Sequence, residues 1–360
     1  MENVVTPDNW WQDRRVFVTG HTGFMGGWLC SYLLSKGATV SGYALSPITT
    51  PSFFESVSLG DRLHKSTIGD VRDLESLSAA MKEAAPEIIF HLAAQPLVLT
   101  AHHDPVETFE TNVMGTVNVL QAARSLADLK ALLLVTTDKV YQNNNWHWPY
   151  RENDPLGGKE PYSSSKAASE HVITAYANSY FPDLGIAALR VGNIIGGGDW
   201  SANRLLPDAV RCFAAGEPLT LRNPRATRPW QHVLDPLPGY LALAKALAEN
   251  GTAFSGGWNF ASAAEDCQPV EIVARQLSDI WGAGAEVEVE QNSKVFEEKL
   301  LALDSSKARA ELGWSPNWRL SDAISALVTW YKSHAEGADM WAMTQTQIAQ
   351  FESDGSQHGQ

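Results

Sequence analysis

The sequence predicts an α/β protein built on a doubly wound parallel sheet, with a smaller region interwoven with it toward the C-terminus. Short apolar strands alternate with helical stretches from residue 15 to residue 191. This order is typical of a parallel sheet covered by helices on both faces. A glycine-rich turn also separates the first strand from the first helix, as it does in Rossmann-type folds.

Each predicted strand is a short apolar run, and each predicted helix shows apolar residues at helical spacing. The first strand spans residues 15–19, and the amphipathic stretch 27–36 follows it after the glycine turn. The later elements, in order, are strand 38–44, a third strand ending within 66–73, helix 74–84, strand 87–92, helix 108–127, strand 132–136, helix 166–180 and strand 186–191.

The composition argues against several classes of protein, including nucleic-acid-binding and membrane-spanning proteins. The net charge of −14 argues against a nucleic-acid surface, and no apolar run is long enough to span a membrane. Only three cysteines occur, without paired spacing, which indicates a reducing, cytoplasmic compartment. No His, Asp or Glu cluster has metal-ligand spacing, so we expect no metal.

The turn Gly20-x-x-Gly23-x-x-Gly26 favours a bound dinucleotide. Glycines there let the backbone approach a pyrophosphate at the N-terminus of a helix. The candidate cofactor contacts after the first, third and fourth strands are Gly20, Thr22, Gly23, Phe24, Met25, Gly26, Asp70, Val71, Leu92, Ala93, Ala94 and Gln95. The second strand ends without the usual ribose-binding acid and without an arginine for a 2′-phosphate, so NAD is favoured over NADP.

The chain changes character after Asn193, where glycine, proline and arginine become frequent. We therefore expect a dinucleotide-binding domain at residues 1–193. Residues 194–345 are expected to form mainly a substrate-binding domain with some return to the sheet, containing helices 205–215, 236–248 and 270–281. Residues 346–360 are polar, which predicts a loosely held tail.

Tyr162 and Lys166 are the strongest chemical signal. Four residues apart on a helix, they lie on one face, and the lysine charge can lower the tyrosine pKa. A phenolate formed in this way can remove a proton from an alcohol near neutral pH. Asp138, which follows the fifth strand, adds an acid for a second proton transfer.

The chain as a whole resembles the extended short-chain dehydrogenase/reductase family. The resemblance rests on the glycine turn, His91-Leu92-Ala93-Ala94, the Tyr162/Lys166 pair, Arg190-x-x-Asn193 and the segment 228–235. It implies bound NAD, in contact also with Tyr162 and Lys166, and pairing of chains as a homodimer or a dimer of dimers.

Thr137-Asp138-Lys139 resembles the corresponding element of the nucleotide-sugar 4,6-dehydratases in that family, in which the third residue is usually glutamate. With the segments 20–24, 152–158 and 228–233, it implies a CDP-sugar substrate. The resemblance implies that Tyr162 takes the 4-hydroxyl proton, Thr137 hydrogen-bonds the 4-oxygen and Asp138 protonates the departing 6-hydroxyl. Lys139 is expected to remove the C5 proton as a neutral amine or to stabilise the enolate as a cation; the alternative is an exposed lysine without a role.

Four residues of the later region are candidate substrate contacts. Asn193 can hydrogen-bond the sugar or a phosphate. Arg204 and Arg228 can clamp a diphosphate, because a guanidinium fits phosphate oxygens bidentately; the alternative for each is a structural salt bridge. His232 can hydrogen-bond a ribose or simply pack. Three other functions remain open: a nucleotide-sugar 4-epimerase or reductase, a 4,6-dehydratase for another nucleoside-diphosphate sugar, and a non-catalytic dinucleotide-binding protein.

Overall fold

The computed structural model describes residues 9–290 and 301–358, with side chains described as far as residue 355. The strands are β1 Arg15–Thr19, β2 Thr39–Ala44, β3 Lys65–Ile68, β4 Ile88–His91, β5 Ala131–Val135, β6 Gly185–Val191, β7 Ile194–Ile195, β8 Leu219–Leu221, β9 Thr227–Pro229, β10 Gln231–His232, β11 Gly256–Phe260, β12 Cys267–Pro269 and β13 Val287–Val289. The α-helices are α1 Phe24–Ser35, α2 Phe53–Ser56, α3 Leu74–Ala84, α4 Val98–His103, α5 Pro105–Phe109, α6 Gly115–Ala123, α7 Pro161–Tyr180, α8 Leu205–Ala215, α9 Pro236–Asn250, α10 Val270–Trp281, α11 Ser306–Leu312, α12 Leu320–Ala335 and α13 Met340–His358.

Seven of these strands form one sheet in the order β11-β6-β5-β4-β1-β2-β3, and every pair in it is parallel. The chain order reverses between β1 and β4, which is the switch point where ligands bind in open α/β sheets. The predicted doubly wound fold is therefore confirmed. β11 comes from the later part of the chain and pairs with β6.

The central strands are buried on both faces, which is why they read as unbroken apolar runs. On β1, Val16 and Val18 join one core cluster, and Phe17 joins the cluster on the opposite face. Because successive side chains of a strand point to opposite faces, one short strand serves both cores. The first of these clusters also contains the helices of the later region, so the two parts of the chain share a core.

Three helical predictions need correction. The helix predicted from residue 27 begins at Phe24, within the glycine turn. The stretch predicted as a single helix over 108–127 is α5, a π-helical turn at Glu110–Met114 and α6, which ends at Ala123. The helix predicted over 166–180 begins earlier, at Pro161. There Glu160 accepts hydrogen bonds from the backbone of Tyr162 and Ser163 and so caps it.

The C-terminal segment also differs from the expected loose tail. α13 is a long helix with Met340, Thr344, Ile348 and Phe351 buried against the main core. Its apolar residues are spaced at helical intervals among many polar ones. The polarity of the segment therefore reflects the exposed face of a packed helix.

Candidate active site

The glycine turn between β1 and α1 lies directly against the chain that leaves β4. Gly20 has a φ of +79°, and a Cβ on it would lie 2.7 Å from the backbone nitrogen of Ala93. A Cβ on Gly26 would lie 2.1 Å from the carbonyl oxygen of Gly20. Only glycine fits this close turn, and its backbone stays open to a pyrophosphate at the start of α1. The turn therefore fits a dinucleotide.

The other predicted cofactor contacts surround this turn. Thr22 donates a hydrogen bond to the carbonyl of Leu45 (2.8 Å), which ties the turn to the end of β2. Asp70 accepts hydrogen bonds from the backbone and side chain of Arg72, and this arginine lowers the pKa of its carboxyl. The remaining candidates lie in the first turn of α1, after β3 or after β4: Phe24, Met25, Val71, Leu92, Ala94 and Gln95.

His21 occupies the space beside the end of β2. It was not predicted from the sequence as a residue of the site. Its ring lies where a side chain on Gly42 would be, 2.3 Å from the position of a Cβ there, and its Nε2 lies 2.7 Å from the hydroxyl of Ser66. Burial lowers the pKa of His21 to about 4, so the ring is neutral at pH 7. The signal in the sequence was the bulky residue directly after the first glycine of the turn.

Tyr162 lies in the first turn of α7 and is buried. Its pKa is raised to about 12 by burial; the nearby Asp138 carboxylate raises it further, while a hydrogen bond with Thr137 and the charge of Arg204 lower it. Tyrosine, acid and threonine are therefore close together, as the sequence predicted. The low tyrosine pKa expected from Lys166 alone is not what these surroundings give.

Lys166 is buried one turn further along α7. Its Nζ donates a hydrogen bond to the carbonyl of Val135, the last residue of β5 (3.1 Å). Burial lowers the pKa of Lys166 to about 8, while the charge of Glu170 opposes that shift. The ammonium group is therefore held at the carboxyl edge of the sheet.

Thr137 and Asp138 follow β5. Asp138 begins a short 3₁₀ turn, Asp138–Val140, and Thr137 caps the start of this turn. The Thr137 hydroxyl donates to Oδ1 of Asp138 at 2.9 Å. Asp138 is only 3% exposed, and a Cβ on Gly192, after β6, would lie 2.4 Å from its Oδ2. The glycine thus leaves the room that the buried acid occupies.

Lys139 is half-buried at the edge of a cavity of about 310 Å³ next to α7. The residues that line this cavity are Lys139, Tyr141, Gln142, Asn143, Gly157, Gly158, Lys159 and Ser163. Lys159 donates a hydrogen bond to the carbonyl of Asn143 (3.0 Å). Lys139 is thus not a fully solvated surface residue.

The four candidate substrate contacts lie on separate elements and differ in burial and in hydrogen-bond partners. Asn193 follows β6 with a φ of +29°, next to the glycine that adjoins Asp138. Arg204 precedes α8, pairs with Asp199 at 3.2 Å and is close enough to Tyr162 to lower its pKa. Arg228 is buried on β9, and its guanidinium donates to the carbonyl of Thr227 (2.9 Å).

His232 lies in the core. It is fully buried, with ring contacts to Trp28 and Trp318 at centroid distances of 5.9 and 4.9 Å. Its Nδ1 accepts a hydrogen bond from the backbone of Leu234 (3.3 Å). These contacts favour the packing alternative over a ribose contact.

One buried polar group near Tyr162 and Lys166 was not predicted from the sequence. Glu170, one turn after Lys166, accepts hydrogen bonds from Thr136 (2.8 Å) and Arg190 (2.9 Å). All three side chains are buried. The available signal was an acid four residues after the lysine, because that spacing puts both side chains on one helix face.

Within residues 9–290 and 301–358, no group of three or more His, Cys, Asp or Glu side chains is arranged to hold a metal ion. Over the same residues, no helix combines the length and apolar character needed to cross a membrane.

Known proteins resemble this chain along most of its length. A family model described as GDP-mannose 4,6 dehydratase matches residues 17–327. A CDP-glucose 4,6-dehydratase of Salmonella typhimurium is 45% identical over 350 residues, 95% of this chain and 97% of that protein. A dTDP-glucose 4,6-dehydratase of Xanthomonas campestris is 27% identical over 332 residues, 87% and 92% of the two chains.

A solved structure agrees with these relatives. The UDP-glucose 4-epimerase of Thermus thermophilus in complex with NAD superposes with a TM-score of 0.74 at 25% identity, covering 88% of this chain and 99% of that one. Its similarity extends along nearly the same length as the sequence relatives. The chain therefore belongs to the GDP-mannose 4,6 dehydratase family, within the extended short-chain dehydrogenases/reductases that its motifs resemble.

Proposed function

We infer that this chain is a CDP-glucose 4,6-dehydratase, a hydro-lyase that converts CDP-glucose to CDP-4-dehydro-6-deoxy-D-glucose and water. The observation that carries the chemistry is that Thr137 hydrogen-bonds both Tyr162 and Asp138 in a buried group, which brings an alcohol-oxidising base near an acid. The identity of the nucleotide is supported by the Salmonella relative, which matches 95% of the chain.

NAD is the cofactor, and the glycine turn, Leu92 to Gln95, Tyr162 and Lys166 are proposed to hold it. Bound NAD⁺ would supply the hydride chemistry of the reaction and a positive charge that favours the phenolate of Tyr162. Tyr162 takes the proton of the 4-hydroxyl as C4 is oxidised. Lys166 contributes a positive charge at the end of β5.

Elimination follows from the acidity that the 4-ketone gives to the C5 proton. Removal of that proton forms an enolate, Asp138 gives its proton to the 6-hydroxyl, and water leaves with formation of the C5–C6 double bond. Thr137 hydrogen-bonds the 4-oxygen, where negative charge develops. Lys139 acts at C5, as the base in its neutral form or as a cation beside the enolate. Hydride addition at C6 and protonation at C5 complete the product.

Incubation of the purified protein with CDP-glucose and NAD⁺ tests this function. We expect a 4-keto-6-deoxy product, detected by its absorbance in alkali and by mass spectrometry as loss of one water. CDP-galactose as product would instead indicate a 4-epimerase. No reaction with CDP-glucose, together with dehydration of another nucleoside-diphosphate glucose, would contradict the proposed nucleotide.

We propose that Asn193, Arg204 and Arg228 contact the nucleotide sugar. Arg204 supports this most directly, because it is partly exposed and close to Tyr162. An Arg204→Gln variant is expected to raise KM for CDP-glucose more than it lowers kcat. A wild-type KM in this variant would contradict the assignment.

We also propose that two copies associate through the surface formed by α4, α5 and the π-helical turn. Apolar side chains are exposed there: Leu99, Val106, Phe109 and Met114, with Val106 66% exposed. Contiguous exposed apolar residues mark association surfaces. Val106→Asp combined with Met114→Asp is expected to yield monomers in analytical ultracentrifugation.

The cytoplasm is the proposed location. All three cysteines are free, which suits a reducing compartment. Fractionation of cells that express the tagged protein would test it.

A further inference from the structure

Two side chains one turn apart on α7 hold two successive residues at the end of β5. Lys166 donates to the carbonyl of Val135 at 3.1 Å, and Glu170 accepts the hydroxyl of Thr136 at 2.8 Å. The next residue along the chain is Thr137, which begins the catalytic turn. The position of that turn relative to α7 is therefore determined by these two contacts.

Glu170 is itself held firmly. Arg190 of β6 donates to both of its carboxylate oxygens, with Nε at 2.9 and 3.1 Å, and the pair is almost completely buried. Nη1 of the same arginine donates to the Tyr141 hydroxyl (2.7 Å), which donates onward to Asn259 of β11 (2.7 Å). The carboxylate is thus part of a network that joins α7 to three strands of the sheet.

The charges around Lys166 make Glu170 chemically important as well. Burial lowers the pKa of Lys166, and Glu170 opposes this from the same helix. His91 of β4 faces the lysine but is neutral, because burial and the lysine charge lower its pKa to about 3. Arg190 of β6 is a further buried cation, paired with the same Glu170 carboxylate, so loss of Glu170 would leave that buried charge without its partner. Tyr162, on the same helix, is protonated at neutral pH in these surroundings.

We propose, resting on the function inferred above, that Glu170 is a positioning residue for the dehydratase reaction. Its carboxylate holds the strand end that leads to Thr137 and Asp138 against the helix that carries Tyr162 and Lys166, and it balances the buried charge of Lys166. It touches neither the sugar nor the nicotinamide and acts through these residues.

A Glu170→Gln variant tests the charge, because glutamine keeps an oxygen that can accept the Thr136 hydrogen bond. The alkaline limb of the kcat–pH profile is expected to move to lower pH by about 1 to 3 units, as Lys166 loses its proton more readily. Competitive acetylation of Lys166, followed by mass spectrometry without substrate, should report the same shift. An unchanged limb and an unchanged labelling profile would overturn the proposal.

Glu87→Gln is the matched control. Glu87 is also a buried carboxylate that accepts from two cations, Arg14 and Lys130, each at 2.7 Å, but it lies at the opposite edge of the sheet, before β4. The Glu87→Gln variant should have a lower melting temperature, while its kcat–pH profile and its labelling profile of Lys166 stay as in the wild type. If the alkaline limb of Glu87→Gln shifts as far as that of Glu170→Gln, the shift reflects a general loss of stability, and the proposal is overturned.

Thr136→Val keeps the proposal testable if Glu170→Gln does not fold, because it leaves the Glu170–Arg190 pair intact. It is expected to lower kcat about tenfold with KM and the alkaline limb unchanged, since the catalytic turn loses its hydrogen bond to α7. A wild-type kcat would contradict the positioning role. Failure of the wild type to dehydrate CDP-glucose would instead contradict the inferred function, and the labelling experiment would still decide the role of Glu170.

Discussion

At the scale of single residues, the pKa of a side chain depends on what surrounds it in the folded protein as well as on its residue type. Tyr162 and Lys166 could be recognised from their spacing. Burial and residues distant in sequence, such as Asp138 and Arg204, set the pKa of Tyr162 at about 12. Burial, opposed by Glu170, sets the pKa of Lys166 at about 8. The structure thus shows a tyrosine that needs additional positive charge to act as a base.

Asp138 gives the first prediction. In Asp138→Asn, oxidation at C4 is expected to proceed while dehydration slows by about 10² to 10⁴-fold, because the acid for the 6-hydroxyl is missing. The measurement is product formation together with absorbance at 340 nm, where reduced nicotinamide should accumulate. Tyr162→Phe is the control and should give neither signal. Dehydration at the wild-type rate would remove Asp138 from the mechanism.

Lys139 gives the second prediction. Lys139→Ala is expected to slow both turnover and incorporation of solvent deuterium at C5. Lys139→Arg separates the two roles, because arginine keeps the charge and cannot act as a base; retained exchange indicates the cation, and lost exchange indicates the base. Lys159→Ala changes the other lysine of the same cavity and should have little effect. Unchanged exchange in Lys139→Ala would rule out both roles.

At the scale of elements, sequence patterns predicted the bounds of those helices whose ends depend on neighbouring residues. α8 and α10 have the bounds that the sequence indicates, because helix ends depend on neighbouring residues, whereas α1 begins at Phe24, inside the glycine turn. The interrupted helix at residues 105–123 was not predicted. Its π-helical turn places Asn112 where its side chain donates to Ser165 of α7 (2.9 Å), a contact between separate elements.

The glycine turn gives the third prediction. Gly26→Ala is expected to abolish NAD binding in calorimetry, because its Cβ would lie 2.1 Å from the carbonyl oxygen of Gly20. Gly23→Ala meets the same atom at 3.3 Å, so it should weaken binding much less. Equal affinities of the two variants would show that the turn adapts and does not depend on close backbone approach.

At the scale of the whole molecule, buried ionisable groups couple stability to pH. Asp235 accepts hydrogen bonds from the backbone of Asn317 (2.8 Å) and Trp318 (3.1 Å), joining the start of α9 to the chain before α12. Burial raises the pKa of Asp235 to about 7. The folded protein therefore keeps this proton up to about pH 7, whereas the unfolded chain releases it near pH 4.

The fourth prediction follows from that difference. Between about pH 4 and pH 7 the folded state binds more protons at Asp235, so this residue's contribution to the free energy of unfolding falls as pH rises. The stability of the wild type relative to Asp235→Asn is expected to fall by a few kcal/mol across this window, measured by urea denaturation. Buried histidines act in the opposite direction but are common to both proteins. A constant difference would contradict the raised pKa.

Taken alone, the sequence determined the doubly wound sheet and indicated a cofactor turn and a candidate site from Thr137 to Lys166, because alternation and short motifs record local constraints. The tertiary structure decided which polar residues are buried and what they face. It placed Glu170 in contact with Thr136 and Arg190, His232 between two tryptophans and α13 on the core. Burial and charge interactions depend on contacts between distant parts of the chain, which no local pattern contains.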